Sequence, residues 1–299
     1  MGHDHSGRGT PGEAHGPGRT PAVCVTLDLE ADYAGMTGGD CHASLDRTAD
    51  FERLVRDSGV RLTTFVTGFI LDNDFPVLSR LKALGSRFET HTYSHPLARP
   101  AAEKIPDIRR GIEAYARYFG ARPRGYRAPQ GLISMEEVQA LAGEGIAYSS
   151  SIFPAWLPGR YNNLRFPTGP FVYREAGLLE IPMAVIPRIR VPVTASHVNL
   201  LGWPLYRLLF AAFGYPPLLN ICTHLYDFAD VDSYARLPMK EKIGYSRMRR
   251  MGDKTRGFAA LLRHLASRGY RFAYLGDVAA EITRADGAPR WSPRTTLTR

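Results

Sequence analysis

An α/β fold built on a mainly parallel sheet is what this sequence predicts, and three observations carry the prediction. From Ala22 onward, short β-prone runs alternate with helix-length segments, the pattern of parallel strands joined by crossover helices. Four of those runs end, on their C-terminal side, at or just before a residue able to do chemistry: Asp28, His91, Arg127 and His224. In parallel folds the carboxyl ends of strands form the site, so residues far apart in sequence can converge there. Finally, 299 residues of which 44% are apolar can bury a large core, as one barrel-sized domain or two ordinary ones. No linker and no repeat of fixed period divides the folded part, which favours one domain over residues 22–282.

The strand candidates are VCVTLD (23–28), RLTTFVTG (61–68), RFETH (87–91), RGYRAP (124–129), AYSSSIF (147–153), LLEIPMAV (178–185), LLNICTH (218–224) and YRFAYLG (270–276). Between them lie helix patterns: TADFERLVRDSG, with Gly59 as its stop, then FPVLSRLKALG, a long segment from about Ala101 to Phe119, SMEEVQALAGEG, and one from about Lys254 to Arg268. Ser134 followed three residues later by Glu137 is a capping box. The stretch 196–220 is strongly apolar but broken by Gly and Pro, too interrupted for a membrane span. Its Leu201, Leu205, Leu208 and Leu209 share one helical face, which predicts packing onto a core; peripheral membrane association through an interfacial helix is the most that a membrane role would amount to.

Residues 1–21 are Gly, Pro and His rich without an apolar run, so a disordered tail is expected there, and a flexible basic tail over 283–299. Three scattered cysteines, Cys24, Cys41 and Cys222, form no C-x-x-C pair. They predict neither a disulfide framework nor a cysteine-bound zinc, and a reducing, cytoplasmic setting is expected. The formal charge of +9 suits acidic partners, but there is no zinc-finger spacing, RNP pattern or sustained basic helix, so nucleic acid is not an expected partner.

His91 and His95 stand four residues apart in FETHTYSHP. A helical metalloprotease pair is excluded, because Thr92 stands where H-E-x-x-H needs Glu. Pro96 and the β-prone residues before His91 favour a turn at a strand end, where two imidazoles can meet on one ion or be hydrogen-bonded loop residues. VTLDLEADY adds Asp28, Glu30 and Asp32. In an extended strand these three point the same way, so one carboxylate can hold an ion while another accepts a proton, or all three can be solvated acids.

Taken in order, these segments resemble the polysaccharide deacetylase family, the NodB-homology carbohydrate esterases. The resemblance rests on Thr26-Leu27-Asp28-Leu29-Glu30, His91-Thr92-Tyr93-Ser94-His95, Arg127-Ala128-Pro129 and Thr223-His224-Leu225, and it covers about residues 22 to 280. It implies a distorted (β/α) barrel of about seven parallel strands, one divalent metal ion, with zinc the expected one, and hydrolysis of an N-acetyl group from an amino sugar. By the same resemblance Asp28 is the general base, His91 and His95 are metal ligands, Arg127 orients Asp28, and His224 protonates the leaving amine. The family's usual second aspartate is Leu29 here, so the third ligand is expected at Glu30, with Asp32 as fallback. Gln130 follows the R-x-P motif, where only its backbone N–H is needed for an oxyanion hole; Pro129 and Gln130, together with Trp156 and Tyr161, are the expected substrate contacts. Trp203 and Tyr206 also lie in segments expected over the mouth. Ser149 replaces an aspartate of the fourth motif, which leaves the partner of His224 open. A small or activated substrate, phosphorylated or lipid-linked, is preferred to wall polysaccharide; a formamide or ureide amidohydrolase of the same fold, and a non-catalytic carbohydrate-binding protein, are the alternatives.

Overall fold

The structure, a computed structural model, describes residues 20–32, 39–96, 99–158, 161–229 and 253–293. The expected N-terminal tail falls almost wholly outside the described residues, as does Cys41's side chain. At the centre lies β1 (Ala22–Leu29), buried along its whole length. A strand covered on both faces reads as a continuous apolar run, which is why AVCVTLDL shows so little alternation. β1 pairs in parallel with β10 (Leu218–His224) on one side and β2 (Leu62–Val66) on the other. The sheet continues in parallel through β3 (Arg87–Thr90), β4 (Gly125–Tyr126), β5 (Tyr148–Ser149) and β9 (Leu179–Glu180). That makes seven parallel strands in the order β10-β1-β2-β3-β4-β5-β9.

The residues after β9 bend back toward β10: the Ala184 N–H donates to the Asn220 carbonyl at 2.8 Å, and Asn220 Nδ2 donates to the Ile181 carbonyl at 3.0 Å. This closes the curved sheet into a distorted (β/α) barrel. Closure relies on one asparagine because β9 is only two residues long.

Helices α1 (Ala49–Ser58), α2 (Gly68–Asp72), α3 (Val77–Ala83), α4 (Ala101–Phe119) and α5 (Met135–Gly143) fill the crossovers in the first half. The capping box is present, with Glu137 N–H donating to Ser134 Oγ and Ser134 N–H to Glu137 Oε2. Gly59 ends α1 at φ +64° with open space around its Cα, so its role is conformational. Gly111 in α4 has a packing reason instead: a Cβ there would lie 2.5 Å from the Thr92 carbonyl carbon. Only glycine lets α4 lie directly under the HTYSH turn.

Several elements differ from expectation. β5 is reduced to Tyr148–Ser149, and the last predicted strand to β11 (Arg271–Phe272); Leu275 already begins a helix (Leu275–Arg284). The segment after 283 is not a flexible tail throughout, because β12 (Arg290–Trp291) pairs with β8 (Phe171–Tyr173) and Trp291 packs on Phe166 with ring centroids 4.5 Å apart. Two-residue strands such as these leave no periodicity to read.

The largest correction concerns α6 (Ala195–Leu201) and α7 (Trp203–Phe213). The predicted leucine stripe faces outward. Tyr206 and Phe210, one turn apart, form the buried face of α7, and Tyr206 Oη donates to the Pro192 carbonyl at 2.6 Å, so Tyr206 is a core residue rather than a mouth residue. Of the four leucines only Leu209 packs partly against the core.

Candidate active site

β1, β3, β4 and β10 deliver their last residues to one end of the barrel. Pairing places Asp28 beside His224 and Thr90 beside Tyr126, so the residues that follow, His91 and Arg127, emerge together. The turn after β3 is tightly wound: Thr92 and His95 both have left-handed backbones, φ +60° and +57°. For a β-branched residue that is a strained conformation of the kind held at functional sites. It is fixed by the Gly68 N–H donating to the Thr92 carbonyl, the His95 N–H donating to Thr92 Oγ1, and Asp107, whose carboxylate accepts the Tyr93 and Ser94 N–H groups.

The turn swings His95 back over His91, and both imidazoles meet Glu30. Glu30 Oε2 lies 3.0 Å from His91 Nε2 and 2.6 Å from His95 Nε2. His91 Nδ1 sits 2.8 Å from the Arg127 carbonyl, an acceptor only, so Nδ1 carries the proton. A neutral His91 therefore turns a lone pair toward a carboxylate oxygen, an arrangement that needs a cation between them, either a proton on Nε2 or a metal ion. Burial opposes the Glu30 charge, but His95, with His91 and His224, outweighs it and holds the carboxyl well below its usual range. Burial likewise opposes charge on His95, and Glu30 more than compensates, raising it. Asp32 is not part of this group: it is buried and its carboxylate accepts the Ser44 N–H at 3.1 Å. β1 ends at Leu29, so the two-residue alternation that would align Asp32 with Glu30 does not continue.

The second corner is a closed electrostatic network. Arg127, 1% exposed, donates from Nη1 to Asp28 Oδ1 at 2.6 Å and Thr26 Oγ1 at 2.8 Å, from Nε to the Ser150 carbonyl, and from Nη2 to Ser150 Oγ; Phe65 lies against the guanidinium face. Burial pushes the Asp28 pKa up, yet Arg127, then His91 and His224, overcome it and keep the carboxylate ionised. His224 Nε2 faces Asp28 Oδ2 at 3.7 Å and Glu30 Oε1 at 3.8 Å. Its Nδ1 faces Asp227 Oδ2 at 3.4 Å. Burial would lower the His224 pKa, but Asp227, with Glu30 and Asp28, raises it to about 9.

Asp227 is the residue that sequence reasoning missed. Ser149, which stands at the aspartate position of the fourth motif, is bonded to Ser151, whereas the acid stands three residues after His224 in HLYD, on a short 3-10 turn (Leu225–Asp227). It is held by the His224 N–H and by Ser196 and Asn199 of α6. Tyr226 was also missed; its ring stacks on His224 at 4.6 Å and its hydroxyl donates to Glu30 Oε1 at 3.3 Å.

Of the expected substrate contacts, Pro129 is buried and Gln130, three residues after the network's Arg127, is exposed with a left-handed φ of +56°. Trp156 and Tyr161 stand on an antiparallel ribbon of β6 (Trp156–Leu157) and β7 (Tyr161–Asn162). Tyr161 stacks on Phe153, whose ring borders Gly131, so the ribbon leans on the turn that carries Gln130. Trp156 is 61% exposed. Trp203 packs on His264 instead, 5.1 Å between ring centroids.

Among the described residues, two groups of side chains bring three potential ligand atoms within reach of one ion, Glu30–His91–His95 and Asp28–Cys222–His224. The donors of the first fit a divalent ion: one carboxylate oxygen and two imidazole nitrogens, with the His91 tautomer fixed by a backbone carbonyl. The second does not fit. Asp28 is already paired with Arg127, and burial pushes the Cys222 thiol far above its usual pKa, so Cys222 is a proton donor to Asp28 Oδ2 at 3.4 Å rather than a thiolate.

Residues 27–149 match the family model described as polysaccharide deacetylase. No curated protein matches the chain. Among solved structures it is similar to a candidate polysaccharide deacetylase from Mycobacterium smegmatis (17% identity, TM-score 0.61, 95% of this chain and 98% of that one). It is also similar to the PuuE allantoinase (14%, 0.62, 93% and 95%). A third is a carbohydrate esterase family 4 pseudoenzyme from Bacillus anthracis (9%, 0.51, 91% and 67%). The matched stretch, residues 27–149, carries Asp28, Glu30, His91, His95 and Arg127, and the fold of the chain is the NodB-type (β/α) barrel of the deacetylases it resembles.

Proposed function

We propose that this protein is a metal-dependent hydrolase that removes an N-acetyl group from an amino sugar or glycoconjugate. The observation that carries the reading is the single Glu30 oxygen facing both His91 Nε2 and His95 Nε2 while His91 Nδ1 is committed to the Arg127 carbonyl. Glu30, His91 and His95 would hold one divalent ion, zinc being the donor set's natural partner. Such an ion polarises an acyl oxygen and lowers the pKa of water toward about 7.

The protein's own groups divide the proton transfers. Asp28, kept ionised by Arg127, takes the proton of the attacking water. His224, kept protonated by Asp227, gives one to the departing amine, so that the amine leaves neutral. The Gln130 backbone N–H supplies a donor for the developing oxyanion, and Tyr161 and Trp156 offer faces on which a sugar can stack. Cys24 and Cys222 are free thiols, which supports a reducing, cytoplasmic setting and, with it, a small, phosphorylated or lipid-linked substrate.

The test is release of acetate from a panel of N-acetylated sugars, free and carrier-linked, by zinc-loaded protein. Acetate release lost in the His91→Ala variant is the expected result. Formate release from N-formyl substrates instead would move the reading to a formamide hydrolase, and sugar binding without turnover would make the chain a binding protein.

A further inference from the structure

The outward side of α7 is apolar where a surface helix is normally polar. Pro204, Leu205, Leu208, Ala211 and Ala212 are all exposed at helical spacing, with Leu205 39% and Leu208 64% exposed, and Leu201 at the end of α6 adds a further 38%. Scattered exposed leucines need no explanation, but a continuous strip does.

What borders the strip narrows its partner. No Asp or Glu occurs between Ile181 and Tyr226, while Arg207 does. Arg207 is exposed on α7 itself. Beside it, Arg268 lies over the Tyr215 ring at 4.0 Å. Tyr215 Oη meets His264 Nε2 at 2.9 Å, and Trp203 packs on the same imidazole. Leucines flanked by Trp, Tyr and Arg, with no acid, are the composition of a helix lying in the headgroup region of a bilayer. With 11 residues α7 is too short to span one, and no helix among the described residues is long and apolar enough to cross a membrane.

We infer that the α6–α7 hairpin docks this protein on an anionic phospholipid surface, with Leu201, Leu205 and Leu208 entering the acyl boundary and Arg207 and Arg268 meeting headgroup phosphates. The hairpin is tied to the site, since Ser196 and Asn199 of α6 hold Asp227. Docking therefore lays the flank of the barrel on the membrane, because Tyr215 and Arg268 precede β10 and β11 and lie at the end of the sheet opposite the mouth. The docking itself does not depend on the hydrolytic reading.

Co-sedimentation of the full chain with vesicles tests it. Binding to phosphatidylglycerol/phosphatidylcholine vesicles, about tenfold tighter than to phosphatidylcholine alone and weakened by salt, is expected. The Leu205→Ser/Leu208→Ser variant should lose at least about tenfold in partitioning with an unchanged circular dichroism spectrum, and Arg207→Gln about fivefold. His91→Ala should bind vesicles as the parent does, which keeps this test separate from that of the metal site. Absence of vesicle binding, or binding untouched by the leucine substitutions, would overturn the inference. So would sedimentation velocity showing a dimer that the same substitutions dissolve while vesicle binding is nil.

Discussion

The two corners of the site are built on opposite principles. Around Asp28, every charge has its counter-charge inside the protein: Arg127 against Asp28, Asp227 against His224, with Thr26, Ser150 and Asn220 adding hydrogen bonds around Arg127. Around Glu30, a carboxylate oxygen instead faces two imidazole nitrogens, one of them a fixed lone pair. A self-satisfied cluster is a preorganised proton-transfer device, and a carboxylate oxygen that gathers two imidazole nitrogens is a donor set for a divalent ion. The comparison predicts that the corners can be broken separately.

The largest effect is expected from Asp28→Asn. It should retain metal while turnover falls by about 10²–10⁴-fold; normal turnover would take the base role from Asp28. Next in size, Arg127→Met leaves a buried carboxylate without its partner and should cost about 3–5 kcal/mol of stability, measured by denaturant unfolding. Gly111→Ala strikes the other corner, because its Cβ would press on the Thr92 carbonyl. A loss of about 1–3 kcal/mol together with weaker metal binding is expected, whereas Arg127→Met should leave the Glu30 oxygen and its two imidazoles closer to intact.

The smallest effect is a pH shift. His224 is raised above 6.5 to about 9, chiefly by Asp227. Its contribution to stability is thus complete below 6.5 and is lost as pH rises through about 9. As a proton donor it sets the alkaline limb of turnover, at or below about 9 once a cation beside Glu30 opposes its charge. Asp227→Asn should move that limb down, and a limb that stays in place would remove Asp227 from the account.

How much of this was legible in the sequence follows from what each residue depends on. His91, His95, Arg127 and His224 could be found because each lies at a strand end, and strand ends in a parallel barrel share one mouth. Glu30 and Asp32 could not be separated, since a strand's alternation aligns them; the chain leaves the sheet at Leu29, and Asp32 turns to Ser44. Asp227 was hidden for a different reason: the aspartate position of the fourth motif falls at Ser149 on β5, which pairs with β4 and β9, while the partner comes from His224's own turn. The leucines of α7 were misread because an apolar stripe ordinarily faces a core, and here Tyr206 and Phe210 already fill it. The pairing of Trp291 with β8 depends on a two-residue contact across more than a hundred residues of chain, for which no local signal exists.

The most direct test is calorimetric titration of Zn²⁺ into metal-free protein, with the parent chain compared with Glu30→Ala and His95→Ala. One equivalent should bind to the parent with release of protons, since Glu30 raises the His95 pKa and an imidazole must be neutral to coordinate, and both variants should lose the site. Absence of binding, or binding that both variants retain, would contradict the account at its centre.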